Sequence, residues 1–325
     1  MRHVQSGKSF RKKLGQLMTR PEMGILLPLI VIMLVTGIIN RNFLTAKNFT
    51  SILKSIPFIA IVTLGASFPL ITGNVDISNG RFAGLTGMLF GMFLTGGLGL
   101  IPSILLCLVV GAILGFINGF LVVRLRMASF IATMGTMYIC GGLRYLVNDG
   151  TVSGLPDELK LFAEQTPLGI SWFFWFAVAL FLAAAFIQRK TVFGRQLYAV
   201  GSNAQVAELQ GVKVHQIGIA AYMISSVLAA VGGLLAAMDI GSAAPSTGNN
   251  WEFKAVAGCV VGGVSLSGGA GSATGVAIGV FTVYVISNII NMISLSNHWS
   301  DVFTGCILAG AVMIDLARQR RKIHE

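Results

Sequence analysis

Apolar runs long enough to cross a bilayer follow one another along this chain, and they leave it one kind of backbone. About 20 residues of helix cover the ~30 Å hydrocarbon layer, where a lipid-exposed backbone must satisfy its own hydrogen bonds. Ten such segments are expected, at 23–39, 52–72, 82–98, 101–123, 129–147, 170–187, 217–238, 253–264, 272–293 and 302–315. Gly interrupts the third and the eighth, and the eighth is short, so eight crossings with two re-entrant pieces satisfy the same parity. Only 11% of the 325 residues are charged, against about 25% in a soluble domain. The expected fold is an all-α, polytopic transmembrane helical bundle.

Basic residues orient that bundle. Six precede the first segment (Arg2, Lys8, Arg11, Lys12, Lys13, Arg20) and four follow the last (Arg318, Arg320, Arg321, Lys322). With the N-terminus cytoplasmic, seventeen basic residues fall on the cytoplasmic side and six elsewhere: Arg41, Lys47, Lys54, Arg144, Lys160 and Lys254. Cytoplasmic loops carry the excess of Lys and Arg, so the expectation is an even number of spans with both termini cytoplasmic. The net charge of +11 is thereby accounted for by topology, without nucleic acid. The loop at 148–169 suits the outer face, with Asp149, Asp157, Glu158 and Glu164 against Lys160. The division is a basic tail at 1–22, one transmembrane domain at 23–315 with a cytoplasmic segment at 188–216, and a basic tail at 316–325. No small-residue cleavage site follows Met23–Ile39, so the first span is read as retained.

The chain offers no energy source of its own. The nearest approach to a phosphate-binding loop, Gly7-Lys8-Ser9, has Arg2 where the upstream Gly is needed. Those glycines let backbone N–H groups reach the phosphates. HExxH, GxSxG and His/Asp/Ser groupings are absent, and the four His (His3, His215, His298, His324) lie in tails or loops. No catalytic residue and no metal site is expected. Cys107, Cys140, Cys259 and Cys306 all fall in apolar runs, where free Cys packs as a small hydrophobe.

Four segments stand out. In Leu70–Arg81, Asp76 ends an apolar run among Asn74, Ser78 and Asn79. A carboxylate at membrane depth is a functional-site hypothesis by default, set against capping of the next helix. Val261–Gly275 is dense in Gly and Ser, with Ser265 and Ser267 at its centre. Such backbone leaves helical geometry only when buried in protein or lining a wet cavity; close helix packing is the bland alternative. Gly111, Gly115 and Gly119 recur every four residues and suit packing. Thr191–Val214 is polar yet structured. Phe193, Leu197 and Val200 share a helical face, and Ser202-x-x-Gln205 matches a capping box. Asn203–Gln210 then forms a helix of about two turns, with Gly211 as its left-handed cap. A short capped helix of this kind suits a partner's groove, the alternative being a helix lying on lipid.

Three ordered motifs make the chain resemble the membrane subunit of a bacterial ATP-binding-cassette sugar importer of the ribose/xylose/arabinose/galactose type. TVFGRQLYAVGSNAQVAELQGVKV is similar to that family's T-x-F-G-R-x-x-Y-A-x-G-x-N-x-x-A-A-x-x-x-G, ITGNVDISNG to its G-G-I-D-L-S-V-G, and VAGCVVGGVSLSGGAGSATG to its A-A-V-V-L-G-G-T-S-L-S-G-G-x-G-S-x-x-G. The resemblance, which runs from about Phe43 to Asp315, implies a bacterial inner-membrane permease that pairs with a second copy or a paralogue. It would work with two cytoplasmic ATPases, which use ATP and Mg, and with a periplasmic solute-binding protein; no cofactor is implied for this chain. The resemblance further implies an ATPase-coupling segment that includes Phe193, Gly194, Arg195, Tyr198, Gly201, Asn203, Ala207, Glu208 and Gly211. The candidate translocation path comprises Asn74, Asp76, Ser78, Asn79, Ser265, Ser267 and Lys254. Lys254 stands where the family usually has Asp, and Asn74 or Val75, Ile77 and Asn79 replace its Gly, Leu and Val, which bears on the solute more than on transport. An ion-coupled transporter with Asp76 as its ion site is the competing expectation.

Overall fold

The computed structural model describes residues 23–164, 169–293, 296 and 298–324. Each of the ten anticipated apolar segments is a helix. They are α1 (Met23–Ile39), α2 (Ala46–Ile71), α3 (Asn79–Thr95), α4 (Leu100–Gly119), α5 (Ser129–Val147), α7 (Trp172–Lys190), α10 (Val214–Ile240), α11 (Trp251–Val261), α12 (Ala273–Met292) and α13 (His298–His324). Three short helices join them: α6 (Asp157–Glu164), α8 (Val192–Ser202) and α9 (Ala204–Leu209). Six helical segments among the described residues are long and apolar enough to cross a membrane: α2, α4 with its continuation to Arg124, α5, α7, α10 and α12.

α10 is the hub, and glycines decide how near its neighbours come. A Cβ at Gly111, Gly115 or Gly119 of α4 would meet α10 at Ser226 O and Val227 Cα (3.3 Å each), Met223 Cα (2.5 Å) and Ile219 Cα (2.8 Å) respectively. Without side chains there, the two backbones touch, which is the small-residue mode of helix packing in lipid. On its other faces α10 meets α2, where Gly65 lies against Ser225, and α3, where Gly233 lies against Ala83. α2 is thereby enclosed, and Ile52 and every residue from Ile56 to Ile71 are buried.

Two irregularities matter for function. The end of α4 widens into a π-helical turn, Phe120–Arg124, with Leu125 N donating to Phe120 O at 3.0 Å. At the opposite end of the bundle, β1 (Val152–Ser153) pairs antiparallel with β2 (Ser242–Ala243), which brings the loops after α5 and α10 together.

Candidate translocation and coupling site

The chain between α2 and α3 is a polar strap held on every side. Asp76 is 1% exposed, and its carboxylate accepts from three donors. Oδ1 accepts from Ser78 N at 3.0 Å and Ser78 Oγ at 2.6 Å; Oδ2 accepts from Ser225 Oγ at 2.8 Å. Two amides extend the pattern outward, Asn118 Nδ2 donating to Ser78 Oγ at 2.9 Å and Asn79 Nδ2 to Ser225 Oγ at 3.1 Å. Tyr222 OH donates to Val75 O, while Ser129 Oγ and Thr133 Oγ1 accept from the amides of Val75 and Ile77. The strap is thus tied to α4, α5 and α10. Buried polar groups need such partners, because each unmet one costs its full desolvation.

This settles the capping alternative for Asp76 in altered form. Ser78 is the residue that precedes α3, and its own side chain makes no cap bond. Asp76 instead reaches the amide two residues on, an Asx turn, which folds the strap before α3 begins.

The second polar segment, Gly262–Ser272, joins α11 to α12, and it rests on the segment that the sequence singles out between α7 and α10. Gly269 N donates to Ile71 O at 2.8 Å, which ties the loop to the end of α2. Tyr198 OH donates to Gly271 O at 2.9 Å, and Gln188 Oε1 accepts from Ala273 N at 2.8 Å. Burial raises the Tyr198 phenol above its ordinary range, Arg189 opposing, so at neutral pH it keeps the proton that it donates. Gly201, at the end of α8, leaves no room for a Cβ, which would collide with Ile71 O. α8 therefore touches both the end of α2, one residue before the strap, and the Gly-Ser loop.

Within that segment Thr191 caps α8, accepting from Gly194 N at 3.1 Å, and a Cβ at Gly194 would collide with Ile187 O. Leu197 and Val200 are buried and Phe193 packs against them, whereas Arg195 is exposed. The expected capping box at Ser202 is corrected by one residue: Asn203 Oδ1 accepts from Val206 N at 3.0 Å. Ser202 is the last residue of α8, so its backbone is helical and cannot take the extended conformation of an N-cap. Gly211 has φ +83°, as the left-handed cap requires. α9 buries Ala207 and exposes Glu208, Val206 (47%) and Leu209 (88%).

The anticipated path residues fall into three places. Asp76, Ser78 and Asn79 share the buried network; Asn74 and Ser267 lie near the strap's start, where a Cβ on Gly73 would stand 3.2 Å from Ser267 O; Ser265 is half-buried in the same loop as Ser267. Lys254 lies apart on α11, half-buried, with Asp301 of α13 as its electrostatic partner. Sequence reasoning missed a set of charges at the start of α11. Glu252 is buried with Arg81 Nε 3.6 Å from its Oε1, and buried Arg144 donates to Thr247 O at 3.1 Å and Asn249 Oδ1 at 2.6 Å. Three charged residues falling at the ends of apolar runs were the available signal.

A helical bundle whose interior holds a polar strap, linked to a capped helical segment at one end, defines a membrane transport subunit. The chain belongs to the family described as branched-chain amino acid transport system / permease component, which it matches over residues 48–312. It is 38% identical over 291 residues to the autoinducer 2 import system permease protein LsrC of Yersinia pseudotuberculosis serotype O:1b (strain IP 31758), a match that covers 89% of this chain and 83% of that protein. The same-named protein of Yersinia pestis (strain Pestoides F) is 37% identical over the same coverage. No solved structure matches the chain significantly. The chain is a multi-pass inner-membrane permease subunit of an ATP-binding-cassette importer, and the ion-coupled alternative gives way to that reading.

Proposed function

We propose that this permease carries a small polar solute inward, and that α8 and α9 receive the stroke of a separate cytoplasmic ATPase. The solute that its relatives' names suggest is autoinducer 2; monosaccharides are the alternative that the motif resemblance suggests. The observation that carries the coupling role is α9 itself, a capped helix that exposes Leu209 and Val206 while its neighbour α8 bears on both polar segments. The ATPase binds ATP and Mg, a solute-binding protein delivers from the opposite face, and a second copy or a paralogue completes the pathway. In this reading all ten apolar helices cross the membrane or dip into it, both basic tails are cytoplasmic, and residues 188–216 form the coupling segment. The strap serves as the fixed wall of the path near Asn74, with Lys254 at its outer end.

The test is reconstitution of the permease with its ATPase and binding protein in proteoliposomes. Glu208→Lys and Gly201→Pro each leave ATP hydrolysis running while uptake of the solute falls. Unchanged uptake in both variants rejects the coupling role.

A further inference from the structure

Beside the coupling segment lies a cavity of about 580 Å³, between the π-helical end of α4 and the junction of α9 with α10. Phe120, Val212 and Ile219 line it with apolar surface, Arg124 and Lys213 bring cations to it, and His215 borders it. Glu208 is the single carboxylate among its lining residues. The Nδ1 of His215 is shut off from solvent and has no hydrogen-bond partner among the described residues. Ile113, Phe116, Ile117 and Phe120 are exposed along one face of α4, and this apolar stripe runs into the cavity. Phe116 and Phe120 stack along it with ring centroids 6.2 Å apart. The π-turn falls at this point of the helix, and such turns are frequent at functional positions.

An apolar stripe that leads along a membrane helix to a basic pocket has two requirements that one molecule meets. Acyl chains cover the stripe, and a phosphate answers the cations. Basic pockets between helices at the cytoplasmic face recognise anionic headgroups in this way. The chain's own tails are basic and carry the wrong sign. We propose that this cavity seats the headgroup of an anionic phospholipid, phosphatidylglycerol in the simplest case, with its acyl chains along α4. The lipid would brace the junction from which α9 projects, so the coupling helix would be anchored to the bilayer as well as to the bundle. The inference rests on the proposed orientation, with this end of the bundle at the cytoplasmic leaflet.

The test uses the full-length permease alone, equilibrated with mixed micelles of phosphatidylglycerol and phosphatidylcholine, with retained lipid read by native mass spectrometry. Wild type retains phosphatidylglycerol in preference to phosphatidylcholine. The double variant Arg124→Ala/Lys213→Ala loses that preference on the order of thirtyfold, from about fivefold per basic side chain at an anionic surface. Arg124→Lys keeps it, which separates lost charge from lost fold, and Arg41→Ala/Lys47→Ala, at the other end of the bundle, leaves it unchanged. Equal retention of the two lipids by wild type, or full retention by the double variant, overturns the proposal. So does glycerol phosphate displacing the lipid at matched concentration, which would mark a site for free anions, or displacement by added ATPase, which would mark a protein interface. No ATPase is present in the main arms, so failure here leaves the coupling role to its own test.

Discussion

The strap at Thr72–Ser78 and the loop at Gly262–Ser272 are both polar interruptions between apolar helices, yet they are held by different partners. The strap is sewn into the bundle by side chains of α4, α5 and α10 that converge on Val75, Asp76, Ile77 and Ser78. The loop is tied by single contacts to three helices: Gly269 N to Ile71 O of α2, Tyr198 of α8 to Gly271 O, and Gln188 of α7 to Ala273 N. A force applied to α8 reaches the loop through the Tyr198–Gly271 bond and reaches the end of α2 through Gly201, which lies against Ile71 O. Buried hydrogen-bonded networks rigidify the segments they hold; in the strap's network all three donors to Asp76 are met, while Asn79 Oδ1 and Asn118 Oδ1 at its edge find no partner among the described residues. The proposed function takes the strap as the fixed wall and the loop as the moving part.

Replacing Asp76 attacks the fixed wall and has the largest expected effect. Asp76→Leu leaves Ser78 N, Ser78 Oγ and Ser225 Oγ without their acceptor, a loss of about 3 kcal/mol or more from buried unmet groups. The expected outcome is a permease that unfolds at much lower temperature or fails to elute as a single species on size exclusion. Gly201→Leu comes next. Its side chain must displace Ile71 O or Gly269 N, and overpacking of this kind costs about 1–3 kcal/mol. Uptake by proteoliposomes should fall steeply while ATP hydrolysis persists.

Tyr198→Phe sharpens the comparison most directly, because it cuts one tie of the moving loop and nothing in the wall. The lost bond to Gly271 O is worth about 1 kcal/mol. Solute moved per ATP hydrolysed should drop with the thermal midpoint nearly unchanged. A midpoint lowered as far as by Asp76→Leu would erase the distinction between wall and moving part. Asn203→Ala should act most locally, loosening α9 by about 1 kcal/mol through loss of its cap. Faster hydrogen exchange at the Val206 amide in Asn203→Ala, with no change in Ser202→Ala, is the check.

Much of this architecture was legible before any coordinates. The ten helices follow from apolar length, since a chain in lipid has no other way to satisfy its backbone. Residues 191–214 were legible as helix, cap and turn because the apolar spacing of Phe193, Leu197 and Val200, a capping residue and Gly211 act over a few residues; the cap at Thr191 was not read. The one slip there, Ser202 for Asn203, arose because both residue types cap well. The end of α8 decides between them: Ser202 is its last helical residue and Asn203 takes the extended conformation that a cap needs. Glu252 and Arg144 were not legible as a buried charged group, because their partners come from other helices.

Sequence alone therefore determined the class of fold, its membrane setting, the family resemblance and the three motifs that matter, since each depends on local periodicity, charge or spacing. Only the tertiary structure decided what the motifs do to one another. Asp76 finds Ser225 149 positions away, and Gly201 lies under Ile71, 130 positions away in sequence. Such partnerships follow from how near the helix backbones approach, and that nearness is fixed by the glycines that α10 meets on every side.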